Sequence, residues 1–123
     1  MTAKQILVID DDSDIRKLIQ TCLEIMGGWQ VLTASCGSEG LLLAQAAQPD
    51  AILLDVMMPD MDGTVTFQKL QANPLTKHIP VILLTARGRT ARQGLFPELG
   101  IKGIINKPFN SQKLAAQVEA ALA

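Results

Sequence analysis

The chain is short of aromatic residues, of cysteine and of long hydrophobic runs, and each shortage closes off a class of function. Its 123 residues include three phenylalanines, one tryptophan and no tyrosine, too few rings for the stacking platforms on which single-stranded nucleic acid is held. Cys22 and Cys36 are the only cysteines and form no CxxC pair, so neither a disulfide framework nor a zinc site is indicated and buried structural thiols are expected. The longest apolar runs, at residues 51–54 and 81–84 among others, are four residues long, whereas a membrane-spanning helix needs roughly 20. Met1-Thr2-Ala3-Lys4 leads directly into a short apolar run that ends in acids, without the apolar region or cleavage site of a secretory signal. A cytoplasmic protein with no membrane contact is expected.

What is present fits one folded domain over residues 1–123. Apolar residues make up 48% and charged residues 19%, a globular balance far from that of disordered chains. The net charge of −1 hides an asymmetry. Residues 1–62 carry ten acids against three bases, net −7, and residues 63–123 carry eight bases against two acids, net +6. The bases are scattered through that second half, so direct nucleic-acid binding by this domain is not expected.

Three runs, Ile6-Leu7-Val8-Ile9, Ala51-Ile52-Leu53-Leu54 and Val81-Ile82-Leu83-Leu84, are apolar without alternation, as strands buried on both faces must be. Weaker runs at residues 30–33 and 103–106 bring the strands to five. Between the first two lies an amphipathic helix with Ile15, Leu18, Ile19, Cys22, Leu23 and Met26 at helical spacing. Residues 41–47, 63–72 and 87–99 are read as further helices, the last of these shortened by Phe96-Pro97, and Leu114, Val118, Ala121 and Leu122 mark a fifth. Ser13 is placed to cap the first helix, Gly27-Gly28 to end it, and Pro49 and Pro74 to close the next two. Strand–helix alternation with right-handed crossovers gives an α/β fold: a single doubly wound five-stranded parallel sheet, order 2-1-3-4-5, with five helices.

In such a sheet the residues just past the strands collect on one edge, where ligands bind at the switch in strand order. Those residues are Asp10, Asp11 and Asp12 after strand one, Asp55 after strand three, Thr85 after strand four, and Asn106 and Lys107 after strand five. Strand two, on the outer edge, ends in the chemically quiet Thr33, Ala34 and Ser35. Taken singly, each polar residue also fits a solvated loop or a turn. Together, the carboxylates would repel one another without a cation, and hard oxygen ligands suit Mg²⁺. A carboxylate on a metal beside a lysine and a hydroxyl supplies a nucleophile, a charge clamp and a hydrogen-bond donor, the parts that phosphoryl transfer uses.

The runs Ile6-Leu7-Val8-Ile9-Asp10-Asp11-Asp12, Leu53-Leu54-Asp55-Val56-Met57-Met58-Pro59-Asp60-Met61-Asp62-Gly63, Leu84-Thr85-Ala86 and Lys107-Pro108-Phe109 resemble the receiver domain of bacterial two-component response regulators. The likeness runs from Ile6 to the last helix and implies a flavodoxin-like, CheY-like fold. It further implies that Asp55 is the phosphoacceptor, that Asp11 binds Mg²⁺ directly and Asp10 mostly through water, and that Asp55 and the backbone carbonyl of Met57 are further ligands. Thr85 would donate its hydroxyl to the phosphoryl group, Lys107 would pair with Asp55 or the phosphoryl oxygens, and the peptide before Pro108 would be cis. The donor would be a phosphohistidine of a sensor histidine kinase or a histidine phosphotransfer protein, and the output a changed protein-interaction surface toward an effector the sequence does not name. On this reading the domain catalyses only its own phosphorylation and dephosphorylation and is not an enzyme in the turnover sense.

The chain departs from the family where a Tyr or Phe commonly stands on strand five: Ile104 occupies that place, so rotation of an aromatic ring cannot be its readout. Ile101-Lys102-Gly103 replaces the acidic and aromatic residues used in one dimer mode of the family. Arg87, Arg89 and Arg92 form the densest basic cluster and are read as a partner-facing surface. Met57 and Arg87, each two residues past a site residue, flank the approach of hydrolytic water, and a long-lived phosphoryl state is expected. Asp62 reads as a helix cap, His78 as an exposed histidine and Trp29 as packing at a sheet end. An aspartyl-phosphate phosphatase would need a second acid at the position of Met57, and neither GxxxxGK[ST] nor GxGxxG follows strand one. A binding module that keeps the fold without phosphorylation is disfavoured, since every site residue is in place. The sequence is compatible with a receiver acting alone or with the receiver of a longer regulator.

Overall fold

A computed structural model describes residues 4–56, 63–86, 101–107 and 109–122. Five strands, β1 (Gln5–Ile9), β2 (Gln30–Ala34), β3 (Ala51–Asp55), β4 (Val81–Ala86) and β5 (Gly103–Lys107), form one parallel sheet in the order β2-β1-β3-β4-β5. Four helices stand among the described residues: α1 (Ser13–Gly27), α2 (Gly37–Ala47), α3 (Gly63–Ala72) and α4 (Leu114–Leu122). Five were expected; the missing one, at residues 87–99, lies outside the described residues. Among the described residues no helix is long and apolar enough to cross a membrane.

The unbroken apolar runs become strands because each strand is covered twice. Ile6, Val8, Ala51, Leu53, Ile82 and Leu84 point to one side, where they pack with Ile19, Cys22 and Leu23 of α1 and Leu114, Ala115 and Val118 of α4. Leu7, Ile9, Ile52, Leu54, Val81 and Leu83 point to the other, against Ala44 of α2 and Phe67 and Leu70 of α3. A half-buried sheet would alternate apolar and polar residues; two hydrophobic layers demand apolar side chains at every step.

Several local readings change. The first helix is capped by Asp12, not Ser13: the Asp12 carboxylate accepts from the backbone N–H groups of Asp14 and Ile15, so Ser13 is the first helical residue. A carboxylate there also meets the positive end of the helix dipole, which a hydroxyl does less well. Gly28 ends α1 in the left-handed region, φ 69°, as the glycine pair implied. The helix read at residues 41–47 begins earlier, at Gly37. Leu18 and Met26, on the predicted apolar stripe of α1, are largely exposed, while Ile19, Cys22 and Leu23 carry the contact with the sheet. Cys22 is buried, as expected, but Cys36 is only half-buried.

Candidate functional site

The strand register brings the predicted site residues to one edge. Asp10 follows β1, with its N–H donating to the Ala34 carbonyl at the end of β2 (3.1 Å). Asp55 closes β3 opposite Leu84, Thr85 lies one step further along β4 opposite Asn106, and Lys107 ends β5 opposite Ala86. Since β1 and β3 are neighbours, the chain leaves the sheet in opposite directions from Asp10 and Asp55, which opens the crevice between them.

Asp10 and Thr85 are fully buried and Asp55 is 3% exposed, whereas Asp11 faces solvent. One carboxylate oxygen from each of Asp10, Asp11 and Asp55 lies within 4.8 Å of the other two. The Lys107 ammonium bridges two of them, 2.9 Å from Asp10 Oδ2 and 3.3 Å from Asp55 Oδ1. Burial favours the neutral amine, but the hydrogen bond and charge of Asp10, followed by the charge of Asp55, outweigh it and hold Lys107 above its ordinary pKa. Three carboxylates against one ammonium leave an excess of negative charge in a set of oxygen donors. That donor chemistry fits Mg²⁺: hard oxygen ligands, one of them facing solvent.

The loop carrying the acids is held by its own polar groups. Asp10 Oδ1 accepts the Asp12 N–H (3.0 Å), and the Arg16 Nη1 donates to the Asp10 carbonyl (2.8 Å). Sequence reading passed over Arg16. Its signal is a base in the first turn of a helix, where the dipole favours acids. The Glu39 carboxylate at the start of α2 accepts from the Ser35 N–H (2.6 Å) and lies 3.0 Å from the Ser35 hydroxyl; these bonds first, and the charge of Arg16 last, hold its pKa below the usual value. After β3, the Gly63 N–H donates to the Val56 carbonyl (2.7 Å), and a Cβ on Gly63 would stand 2.6 Å from the Asp55 carbonyl oxygen. Only glycine lets α3 start so close to the phosphoacceptor candidate.

Met57, whose carbonyl was expected as a ligand, lies outside the described residues, as do Asp62, Pro108 and the Arg87, Arg89 and Arg92 cluster. His78 is exposed and Trp29 buried. Ile104, on the edge strand, is 41% exposed.

Comparison with known proteins agrees with this geometry. The model of the response regulator receiver domain matches residues 6–119. The chain belongs to that family. The receiver is 40% identical over 119 residues to the alkaline phosphatase synthesis transcriptional regulatory protein PhoP of Bacillus subtilis, covering 97% of this chain and 48% of that protein. To the phosphate regulon transcriptional regulatory protein PhoB of Pseudomonas aeruginosa it is 38% identical over 124 residues, covering 99% and 53%. It thus spans about half the length of the curated relatives it matches. Among solved structures, the chemotaxis response regulator CheY4 of Vibrio cholerae superposes with a TM-score of 0.89 at 30% identity, covering 98% of this chain and 99% of that one. The receiver works in two-component signalling, in which response regulators take phosphoryl groups from sensor kinases.

Proposed function

We propose that this receiver accepts a phosphoryl group on Asp55 from a phosphohistidine of a sensor histidine kinase or histidine phosphotransfer protein, and that residues 1–123 form one such domain. The observation that carries this is the Lys107 ammonium set between the buried carboxylates of Asp10 and Asp55, with Asp11 beside them. An Asp55 oxygen forms the new O–P bond while the P–N bond of the donor breaks, its electron pair leaving with the imidazole. Lys107 holds Asp55 in place and then faces the new phosphoryl oxygens; Thr85, at the adjacent strand end, donates its hydroxyl to one of them. Asp10, Asp11, Asp55 and the Met57 carbonyl would hold Mg²⁺, which offsets negative charge on the phosphoryl group. A dianion arriving on Asp55 redraws the charge balance at the ends of β3, β4 and β5 and changes the surface there. Reaction is confined to the domain's own aspartate, so it is not an enzyme with turnover on a free substrate, and it acts in the cytoplasm without touching nucleic acid or membrane. Met57 and Arg87, which stand two residues past Asp55 and Thr85 in the sequence and lie outside the described residues, carry the expectation of a long-lived phosphoryl state.

Intact mass after incubation with a small phosphodonor tests the reading. One phosphoryl adduct, dependent on Mg²⁺ and absent from Asp55→Asn, is the expected result. No adduct under any condition would leave a binding module that keeps the fold without the chemistry.

A further inference from the structure

We infer that Arg16 is a positioning residue for the cation site, acting through the peptide that joins Asp10 to Asp11; the inference rests on the reading of Asp10, Asp11 and Asp55 as Mg²⁺ ligands. Asp10 is held by three hydrogen bonds and an ion pair. Its N–H is bound to Ala34, its Oδ1 to the Asp12 N–H and its carbonyl oxygen to the Arg16 guanidinium, while its Oδ2 is ion-paired with Lys107. Asp11 differs: it is exposed, and the direction of its carboxylate follows from the orientation of the Asp10–Asp11 peptide. A peptide unit is planar, so a hydrogen bond on the Asp10 carbonyl sets the plane from which Asp11 departs. The bond reaches across from α1 to the end of β1, six residues back along the chain, and is part-buried. Arg16 is itself tied into α1 by its own N–H, which donates to the Asp12 carbonyl (2.9 Å). The guanidinium therefore braces the strand end against the helix that Asp12 caps.

Without that brace the Asp10 carbonyl loses its partner, the peptide can rotate, and Asp11 points to the other two carboxylates for only part of the time. Apparent affinity falls by the fraction of time the site is assembled. The sign separates positioning from charge. Removing a cation near a dication site strengthens metal binding by electrostatics alone, so weaker binding in a neutral variant can only report lost geometry.

The test is calorimetric titration of Mg²⁺ into the full chain and its variants, with thermal melting of each as a check on folding. Arg16→Ala is expected to bind Mg²⁺ about tenfold more weakly, the low end for loss of a residue that orients a ligand. Arg16→Lys, which keeps a donor, is expected to restore most of the affinity. Arg16→Gln retains much of the stem and serves if the alanine variant fails to fold. Ile19→Val, a core change on the same helix, is expected to lower the melting temperature without altering Mg²⁺ affinity. Unchanged or tighter binding in folded Arg16→Ala or Arg16→Gln would overturn the inference, as would an equal loss in Ile19→Val. Absence of binding in the unaltered chain, with Asp11→Ala indistinguishable from it, would instead remove the cation site and Arg16's role with it.

Discussion

Lys107 bears the electrostatic balance of the carboxylate cluster. It stands 2.9 and 3.3 Å from two carboxylates that are almost wholly removed from water, so its loss would remove the cation paired with both. Lys107→Met is therefore expected to destabilise the metal-free protein by about 3 kcal/mol, the lower part of the range for breaking a buried pair because the lysine itself keeps some solvent contact. Urea denaturation in the presence of a chelator measures it, and a difference near zero would show that water already screens the pair. The same group sets a pH dependence. Its folded pKa is raised above the ordinary value of 10.5, so its contribution is complete below that pH and is lost as pH climbs through the folded pKa. The stability gap between the native chain and Lys107→Met should accordingly stay flat through neutral pH and narrow only above about pH 10.5. A gap that narrows between neutral pH and about pH 10, where both the ammonium and its carboxylate partners keep their charge, would assign the stabilisation to a different group.

At the scale of elements, the sequence was legible wherever one physical requirement acted alone. The runs at Ile6, Ala51 and Val81 could only be strands covered on both faces, and the two hydrophobic layers bear this out. The start of α2 was not legible, because Gly37-Ser38-Glu39-Gly40 has neither apolar periodicity nor helix propensity. It is held by one local bond and one tertiary contact: Glu39 is bound back to Ser35, four residues earlier, and Gly40 packs against the Ile9 side chain, which a Cβ there would crowd. The stripe on α1 promised more burial than occurs, since the helix lays only Ile19, Cys22 and Leu23 deeply on the sheet. Gly63 shows the converse, a residue within a recognised motif whose purpose appears only in three dimensions. A methyl group there would meet the Asp55 carbonyl oxygen and the Val56 Cα, each at 2.6 Å, and backbone cannot step aside as a side chain tip can. Gly63→Ala is expected to cost about 2 kcal/mol of stability, within the usual range for overpacking, and to slow phosphorylation by shifting Asp55. A variant with native melting temperature and native rate would mean that α3 can start further from β3 than the structure shows.

Across the whole molecule, the site is assembled from segments as far apart in sequence as Asp10 and Lys107, so it exists only when the sheet is formed. Its convergence could be read from strand ends and strand order alone, because a parallel sheet puts all its carboxyl ends on one edge. The bond from Arg16 to the Asp10 carbonyl could not, since it depends on where a long side chain lies after the helix has docked. Folding and cation binding must then be linked: a ligand that binds only the assembled carboxylates stabilises the fold by mass action. At Mg²⁺ a hundredfold above its dissociation constant the gain is about 2.7 kcal/mol, which for a chain of this length raises the melting temperature by roughly 10 °C. Asp11→Ala sharpens the test. Asp11 is exposed and its charge opposes those of Asp10 and Asp55, so its removal should leave metal-free stability equal or slightly higher while abolishing most of the Mg²⁺-dependent rise. The two effects have opposite signs in one variant, and general destabilisation cannot produce that pattern. A full Mg²⁺-dependent rise in Asp11→Ala would place the cation elsewhere on the acidic half of the chain, and Lys107 would then be the cation that balances Asp10 and Asp55 at the sheet edge.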